Sequence, residues 1–333
     1  MLLSFARRLA AVGPILLVVS LLLFVALRLL PVDPAAMSMP PTATKVEIEA
    51  ARSAMGLDRP LVEQYAIWLG QTLHGDFGTS IHMRRPVGGL LLETLPATIE
   101  LSVAAMIVAG LLGIGGGLAL FALRNRRGEA VAELTTTLMM SIPEFLWALL
   151  FIFLFGVLLS ALPFTGRLDP GMTRPVVSGF LLLDALLVGR PDIYASALRH
   201  LLLPAAALGI AFAPPVMRVL RTSLVDVYQE DYIRQARLRG VGEARILLAH
   251  ALKNAILPTL TLMGVQFGFL FGGSLLVEVI YAYPGMGNLM VDAVRNADLP
   301  IIQAVALTYC VVVLAITSAV DALVLLLNPR LRA

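Results

Sequence analysis

Long apolar runs, separated by shorter polar segments, dominate the sequence. The first run is about 22 residues long, which is enough for a helix to cross about 30 Å of hydrocarbon. It is too long for the apolar core of a signal peptide, so we expect it to be retained as a helix. Further runs of comparable length follow. The pattern predicts six membrane-spanning helices, at about Leu9–Leu30, Ala97–Leu123, Leu134–Leu159, Leu201–Leu220, Ile256–Ile280 and Ile301–Leu327.

Two segments are expected outside the cell membrane. Residues 31–96 carry acids and bases in near balance, and the spacing of Leu61, Tyr65 and Trp68 predicts a helix among them. Residues 176–189 form an apolar run of only about 14 residues, which is too short to cross the bilayer. We expect this run to be an extracytoplasmic amphipathic or re-entrant helix.

The basic residues support this topology, because cytoplasmic loops are enriched in Lys and Arg. Those at the predicted inner ends are Arg7, Arg8, Arg124, Arg126, Arg127, Arg218, Arg221, Arg234, Arg237, Arg239, Arg245, Lys253, Arg330 and Arg332. Both termini are therefore predicted to be cytoplasmic. The chain would divide into a first span with an extracytoplasmic segment (1–95), a five-span core (96–327) and a cytoplasmic tail (328–333).

Two features inside the apolar runs are candidates for a translocation pathway. Pro143 interrupts the third run and Glu144 follows it, and an ionisable group inside a membrane is a functional hypothesis by default. A plain structural role for Glu144 is the alternative. Gly264, Gly268 and Gly272 recur at intervals of four and would share one helix face. A helix-packing surface is the favoured interpretation of these glycines, and a permeation surface is the alternative.

Composition is typical of a polytopic membrane protein. Of 333 residues, 59% are apolar and 14% are charged, and the mean hydropathy is +0.87. The single cysteine, Cys310, excludes an intrachain disulfide and a cysteine metal site, and no carboxylate cluster accompanies the histidines. We therefore predict no metal site. The net charge of +3, without aromatic residues among the bases, argues against nucleic-acid binding.

Motifs for other classes of membrane protein are absent from the sequence. No GxxxxGK[ST] string occurs, so the chain has no Walker loop for ATP. Gly113–Gly117 lacks the preceding strand of a dinucleotide site and is predicted to allow close helix packing. An intramembrane protease would need a Ser-His pair, a HExxH helix or paired aspartates in the spans. An ion-gradient-driven transporter stays open as an alternative, although it would require several ionisable residues near the midplane.

The longest strongly polar segment of the second half extends from Glu230 to Pro258. Its bases outnumber its acids, which marks it as cytoplasmic. Ala236 and Gly240 stand four apart, so on a helix they would share one face and leave a dent without large side chains. Gly240 would also allow the chain to change direction.

This segment resembles the EAA loop of ABC importer permeases. The resemblance rests on Ala236, on Gly240 and on a later Leu-Pro pair. Arg234 and Gln235 replace the acid and the first alanine that are usual in the family. The long spacing from Gly240 to Leu257, together with DYIRQARLRG, looks most like the dipeptide, oligopeptide and nickel branch. TGRLDP, GFLLLDALL and PGMG are similar to the same family, so the resemblance covers nearly the whole chain.

The resemblance implies an all-α, polytopic, type I-like ABC importer permease in a bacterial plasma (inner) membrane. It implies a transport subunit with no enzymatic activity and no cofactor of its own. The expected partners are a second related permease subunit, two cytoplasmic ATPases that bind ATP and Mg²⁺, an extracytoplasmic solute-binding protein and the lipid bilayer.

The resemblance also assigns residues 221–255 as the ATPase-coupling loop. Within it, the expected contacts are Asp231, Tyr232, Ala236, Arg239 and Gly240. Dipeptides or oligopeptides are the expected substrates. Glutathione and nickel or metal chelates are the alternatives.

Overall fold

The structure is all-helical over the residues it describes. The computed structural model describes residues 2–29, 33–39, 42–54 and 56–327. Within these ranges the only β-type pairing is an isolated bridge between Thr79 and Pro86. The α-helices are α1 (Leu2–Arg28), α2 (Pro34–Ser38), α3 (Lys45–Ala54), α4 (Leu61–Leu73), α5 (Val87–Leu123), α6 (Glu129–Ser141), α7 (Glu144–Phe151), α8 (Leu181–Leu187), α9 (Pro191–Val227), α10 (Asp231–Leu238), α11 (Glu243–Arg245), α12 (Leu252–Ile280), α13 (Met286–Arg295) and α14 (Leu299–Leu327). Two π-helices follow α7 and α11, namely π1 (Ile152–Leu158) and π2 (Ile246–Ala251).

Four helical stretches in the described residues are long and apolar enough to cross a membrane. They are Val87–Leu123, Pro191–Val227, Glu243–Ile280 and Leu299–Val320. The pair Glu129–Ser141 and Glu144–Leu158, bent by 98°, adds a fifth if it forms one span. Val12–Arg28 is a shorter apolar helix. The all-α prediction is confirmed, while the count of six spans stays a prediction. The predicted tail, 328–333, lies outside the described residues.

Pro143 causes the break in the third predicted span. Its ring disfavours a helical conformation of the preceding residue, and Ile142 is extended, with φ −94° and ψ 117°. Pro143 also lacks the N–H that a continuous helix would use. α6 therefore ends at Ser141 and α7 begins at Glu144, which confirms that Pro143 interrupts this run.

The described residues fall into two compact units. Unit 1 comprises the described residues within 2–98 and 284–314, and unit 2 comprises those within 99–283 and 315–327. In unit 1 the start of α5 packs against α13 and α14 through a cluster that includes Val87, Met286 and Val305. The backbone N–H of Met286 donates to Thr98 Oγ1 at 2.8 Å, which satisfies a free donor in the first turn of α13.

α9 is the central helix of unit 2, and α6, α7, α8 and α12 pack against it. The glycines of α5 approach it closely. A Cβ added to Gly113 would lie 2.5 Å from Cγ1 of Val216, and one added to Gly117 would lie 2.9 Å from Cβ of Leu220. The predicted close-packing role of Gly113–Gly117 is confirmed at these two positions.

Candidate functional site

One apolar face of α10 packs against the rest of unit 2. Ile233 is fully buried and Ala236, one turn later, is half-buried. Residues three apart share a helix face, and both contact the apolar cluster that contains Leu220 and Ile246. The rest of α10 is exposed, so this short helix presents a free face.

Gly240 ends the α10 segment in a left-handed turn. Its φ is +75°, a region that glycine enters without a steric penalty. The N–H of Gly240 donates to the carbonyl of Arg237 at 2.9 Å, and the N–H of Val241 donates to that of Ala236 at 3.1 Å. These two bonds form a Schellman motif, which satisfies free carbonyls at the helix end. The predicted change of direction at Gly240 is confirmed.

The prediction that Ala236 and Gly240 share one helix face is wrong. α10 ends at Leu238, so Gly240 lies beyond the helix, and Ala236 contacts the apolar cluster. The exposed surface is formed instead by Arg234, Leu238 and Arg239, and we call it the α10 outer face. Leu238 is 82% exposed. Sequence reasoning missed it, although a large apolar residue in a charged cytosolic segment was an available signal.

The five residues predicted to contact an ATPase do not share one environment. Asp231, Tyr232, Arg239 and Gly240 are exposed, and Ala236 is half-buried. The hydroxyl of Tyr232 accepts a hydrogen bond from the side-chain amide of Asn254 at 2.7 Å. The Tyr232 ring is therefore tied to the start of α12, the helix that follows the segment.

An ion pair closes the loop after α10. Arg237 Nε donates to Glu243 Oε1 at 2.6 Å, and Arg237 Nη2 donates to Oε2 at 3.3 Å. This hydrogen bonding holds the pKa of Glu243 below its usual value. The same guanidinium lies 5.3 Å from the ring centre of Tyr228, just after α9. The two contacts link the loop to the end of α9.

Glu144 lies at the bend between α6 and α7. It is half-buried in the first turn of α7. Its Oε1 is 3.7 Å from the position that a Cβ would take on Gly273, and Phe212 lies beside the same position. Among the described residues no donor or cation is paired with the Glu144 carboxylate. The role of Glu144 in a translocation pathway stays a prediction.

The three predicted pathway glycines of α12 differ in their surroundings. A Cβ added to Gly264 would lie 1.9 Å from Cγ1 of Val320 in α14, and Gly268 is buried. Gly272 is exposed, with no heavy atom within 4 Å of an added Cβ. Gly264 therefore has the packing environment, whereas Gly272 is open. It is the neighbouring Gly273 that meets Glu144.

Sequence reasoning missed a buried ion pair in unit 2. Arg167 Nη2 donates to Glu100 Oε2, and the two side chains are 5% and 9% exposed. The other carboxylate oxygen of Glu100 accepts the backbone N–H of Leu182 at 2.9 Å, and the guanidinium lies 5.4 Å from the Tyr283 ring centre. Glu100 stands in the second apolar run, so an ionisable residue inside an apolar run was an available signal for Glu100, as it was for Glu144.

These features suit binding. The α10 outer face can bind a protein surface through Leu238 and its flanking cations, and Glu144 can accept hydrogen bonds. Among the residues that the structure describes, no three His, Cys, Asp or Glu side chains are grouped as a metal site would require.

The long apolar helices and the exposed helix between α9 and α12 define a membrane transport permease. The chain belongs to the family of binding-protein-dependent transport system inner membrane components, whose model matches residues 94–333. The model of the N-terminal part of such components matches residues 1–102. The chain is therefore a multi-pass permease subunit of a binding-protein-dependent ABC importer and is not itself catalytic. Its family implies ATPase subunits and a substrate-binding protein as partners.

Curated relatives align along nearly the full chain. A di/tripeptide transport system permease protein of Pseudomonas aeruginosa is 37% identical over 328 residues, 98% of each chain. A glutathione transport system permease protein of Escherichia coli K12 is 35% identical over 326 residues, 98% of this chain and 97% of the relative. Among solved structures, an inward-facing MetNI methionine ABC transporter matches with a TM-score of 0.56 and 15% identity, covering 72% of this chain and 96% of that one. The last match shows a shared fold.

Proposed function

We propose that the chain is one of two permease subunits that import short peptides, with ATP hydrolysis supplied by two separate cytoplasmic subunits. The observation that carries the substrate class is the 37% identity, over 98% of both chains, with a di/tripeptide permease. Glutathione permeases, at 35% to 37% identity, form the second candidate. Both candidate substrates, short peptides and glutathione, are small molecules with a free amino group and at least one free carboxylate.

The test of function is uptake by the complete importer. This chain, its partner permease and its ATPases would be reconstituted in proteoliposomes that contain ATP, and the binding protein would be added outside. ATP-dependent uptake of labelled dialanine should occur and should be abolished by excess unlabelled di- and tripeptides. Uptake of glutathione without dialanine would replace the peptide proposal by the second candidate, and uptake of Ni²⁺ alone would overturn both.

The proposed topology has six spans and cytoplasmic termini, with α1 as the first span and the bent pair of α6 and α7–π1 as the third. Parity supports it. If the bent pair did not cross, residues 228–251 would lie outside, although they carry the basic excess of an inner segment. With a crossing pair they lie inside, where ATPases can reach them.

Thiol labelling tests this topology. In a Cys310→Ala background, a cysteine replacing Val62 of α4 should react with an impermeant thiol reagent in intact cells. A cysteine replacing Leu238 should react only after the membrane is opened. Val62 and Leu238 are similarly exposed, at 81% and 82%, so accessibility within the chain does not distinguish them. Labelling of position 238 from outside would contradict the coupling role.

The proposed coupling site is the α10 outer face, with Leu238 as its apolar contact. Full burial of a leucine side chain is worth about 1.5–3 kcal/mol, so Leu238→Ala should weaken ATPase binding about ten- to hundredfold. Leu187→Ala in α8, which also removes an exposed leucine, is the matched control. Equal co-purification of the ATPase with both variants would exclude Leu238 from the contact.

A further inference from the structure

A polar cavity lies in unit 2 between α5, α6 and α9. Its volume is about 310 Å³. It is lined by Leu120, by Thr136, Thr137 and Thr222, by the two cations Arg218 and Arg221, and by the carboxylate of Glu133. The two arginines lie at the predicted inner end of α9, where the positive-inside rule expects bases.

The two arginines differ in their charge balance. Arg221 Nη2 donates to Glu129 Oε1 at 2.5 Å and its Nη1 donates to Glu133 Oε1 at 2.8 Å, so its charge is neutralised. Arg218 Nη2 donates to the hydroxyl of Thr137 at 3.0 Å. Within the described part of the chain no carboxylate lies within ion-pair distance of Arg218. Arg218 is therefore an exposed guanidinium with no carboxylate partner of its own, in a cluster where the two acids on Arg221 balance the two arginines in number.

A row of exposed polar side chains leads from this cavity toward the bend. Glu133, Thr137 and Ser141 follow one another at intervals of four along α6, so they share one face over about 12 Å. Glu144 begins α7 just beyond them. Exposed Val131, Leu134 and Leu138 occupy another face of α6. One side of this helix therefore suits water and another suits lipid or apolar protein.

We propose that Arg218 binds the terminal carboxylate of the transported peptide on the cytoplasmic half of the pathway. The inference rests on the proposed function and adds a residue that recognises the substrate. A guanidinium binds a carboxylate through paired, charge-assisted hydrogen bonds. The Thr137 hydroxyl orients the Arg218 side chain by accepting its hydrogen bond. The hydroxyls of Thr136 and Thr222 donate to backbone carbonyls, so their oxygens are left to accept peptide N–H groups.

A phospholipid phosphate is the competing occupant, since basic pockets at the inner side of a membrane bind headgroups. The row from Glu133 to Ser141 favours the peptide. It continues from Arg218 along the span toward the bend, where a lipid would present an acyl chain and a peptide presents further polar groups.

The experiment compares dialanine with dialanine amide, which lacks the carboxylate charge, in the reconstituted importer. Uptake of each would be measured for the unmodified chain and for Arg218→Gln. Loss of a charge-assisted pair should lower the ratio of dialanine to dialanine-amide uptake about tenfold or more. Because the same binding protein serves both complexes, a change in this ratio arises in the permease. Arg218→Lys should restore part of the ratio, and Arg126→Gln, in an exposed loop, should leave it unchanged.

An unchanged ratio in Arg218→Gln, with dialanine still transported, would overturn this inference and leave the peptide function intact. Failure of the unmodified importer to transport dialanine would overturn the proposed function and this inference with it. A third arm compares ATP hydrolysis in nanodiscs with and without phosphatidylglycerol. If Arg218→Gln removed only a dependence on that lipid and kept the uptake ratio, the site would be a headgroup site.

Discussion

A Cβ added to Gly264 would lie 1.9 Å from Cγ1 of Val320, so α12 and α14 touch at this point without room for a methyl group. Close backbone approach at a small residue is a common mode of helix packing in membranes. Gly272, two turns later in α12, has no heavy atom within 4 Å of the same added atom. Gly264 therefore has a packing role, and a permeation role at Gly272 stays a prediction.

Gly264→Ala should destabilise unit 2, because overpacking a close contact costs about 1–3 kcal/mol. Val320→Ala in the same chain should restore only part of the loss, because it removes the two methyl groups but keeps the Val320 Cβ, which lies 2.7 Å from the added Cβ. Thermal unfolding in detergent measures both effects. Gly272→Ala is the control and should leave the unfolding temperature unchanged. If Gly272→Ala nevertheless altered uptake, the permeation alternative would gain support at that position.

Gly240 should tolerate asparagine better than alanine. For a residue with a Cβ, the left-handed conformation costs about 1–2 kcal/mol, and asparagine adopts it more readily than alanine. No atom lies within 4 Å of an added Cβ at Gly240, so within this chain the expected effect is backbone strain. Substrate-stimulated ATP hydrolysis should fall in the order glycine, asparagine, alanine. A larger loss with asparagine than with alanine would show that side-chain size, and hence a partner surface, dominates.

Arg167→Met should be strongly destabilising. It leaves the Glu100 carboxylate buried without its cation, and breaking a buried ion pair from one side costs about 3–5 kcal/mol. Arg85→Met breaks the exposed pair between Arg85 and Glu93 and should cost no more than about 1 kcal/mol. Unfolding temperatures in detergent compare the two. The double variant Arg167→Met, Glu100→Leu should recover stability, and its failure to do so would mean that packing at Arg167 matters more than charge.

Asp184 should make the stability of unit 2 dependent on acid pH. Its side chain is 0% exposed, and although burial acts to raise the pKa, hydrogen bonds from Ser178, Val177 and Gly179 outweigh it and lower the pKa. A carboxylate with a lowered pKa stabilises the fold above its unfolded pKa of about 3.9, and the contribution disappears as pH falls through the folded value.

The comparison of the unmodified chain with Asp184→Asn isolates this contribution. The difference in their unfolding temperatures should be largest above about pH 4 and should shrink at lower pH, where the aspartate is protonated. Ser178 Oγ and three backbone N–H groups donate to the carboxylate. A difference that does not change with pH would indicate that the geometry of these bonds, and not the charge of Asp184, sets the stability.

The apolar runs and the family resemblance of Glu230–Pro258 could be read from the sequence, because they depend on local properties. A run of apolar residues long enough to cross hydrocarbon predicts a helix wherever it occurs. A proline in such a run is a candidate break because it lacks the N–H of a continuous helix; the break occurs at Pro143, whereas α9 continues through Pro204 and Pro214. The turn at Gly240 was predictable for the same reason, since only glycine enters the left-handed region at no cost. The face that α10 buries was not predictable, because the burial of Ile233 and Ala236 depends on contacts with an apolar cluster from other segments.

Pairing between distant residues was decided only by the tertiary structure. Glu100 and Glu144 both stand in apolar runs and look equivalent in the sequence. In the folded chain Glu100 pairs with the guanidinium of Arg167. Glu144 lies beside Gly273 and pairs with no cation among the described residues. Periodicity reports which residues share a face of one helix, whereas the partner of a charge depends on which other helix that face meets. For this reason the sequence could place Glu100 and Glu144 in apolar runs, and only the fold determined that Glu100 has a cation partner and that Glu144 has none among the described residues.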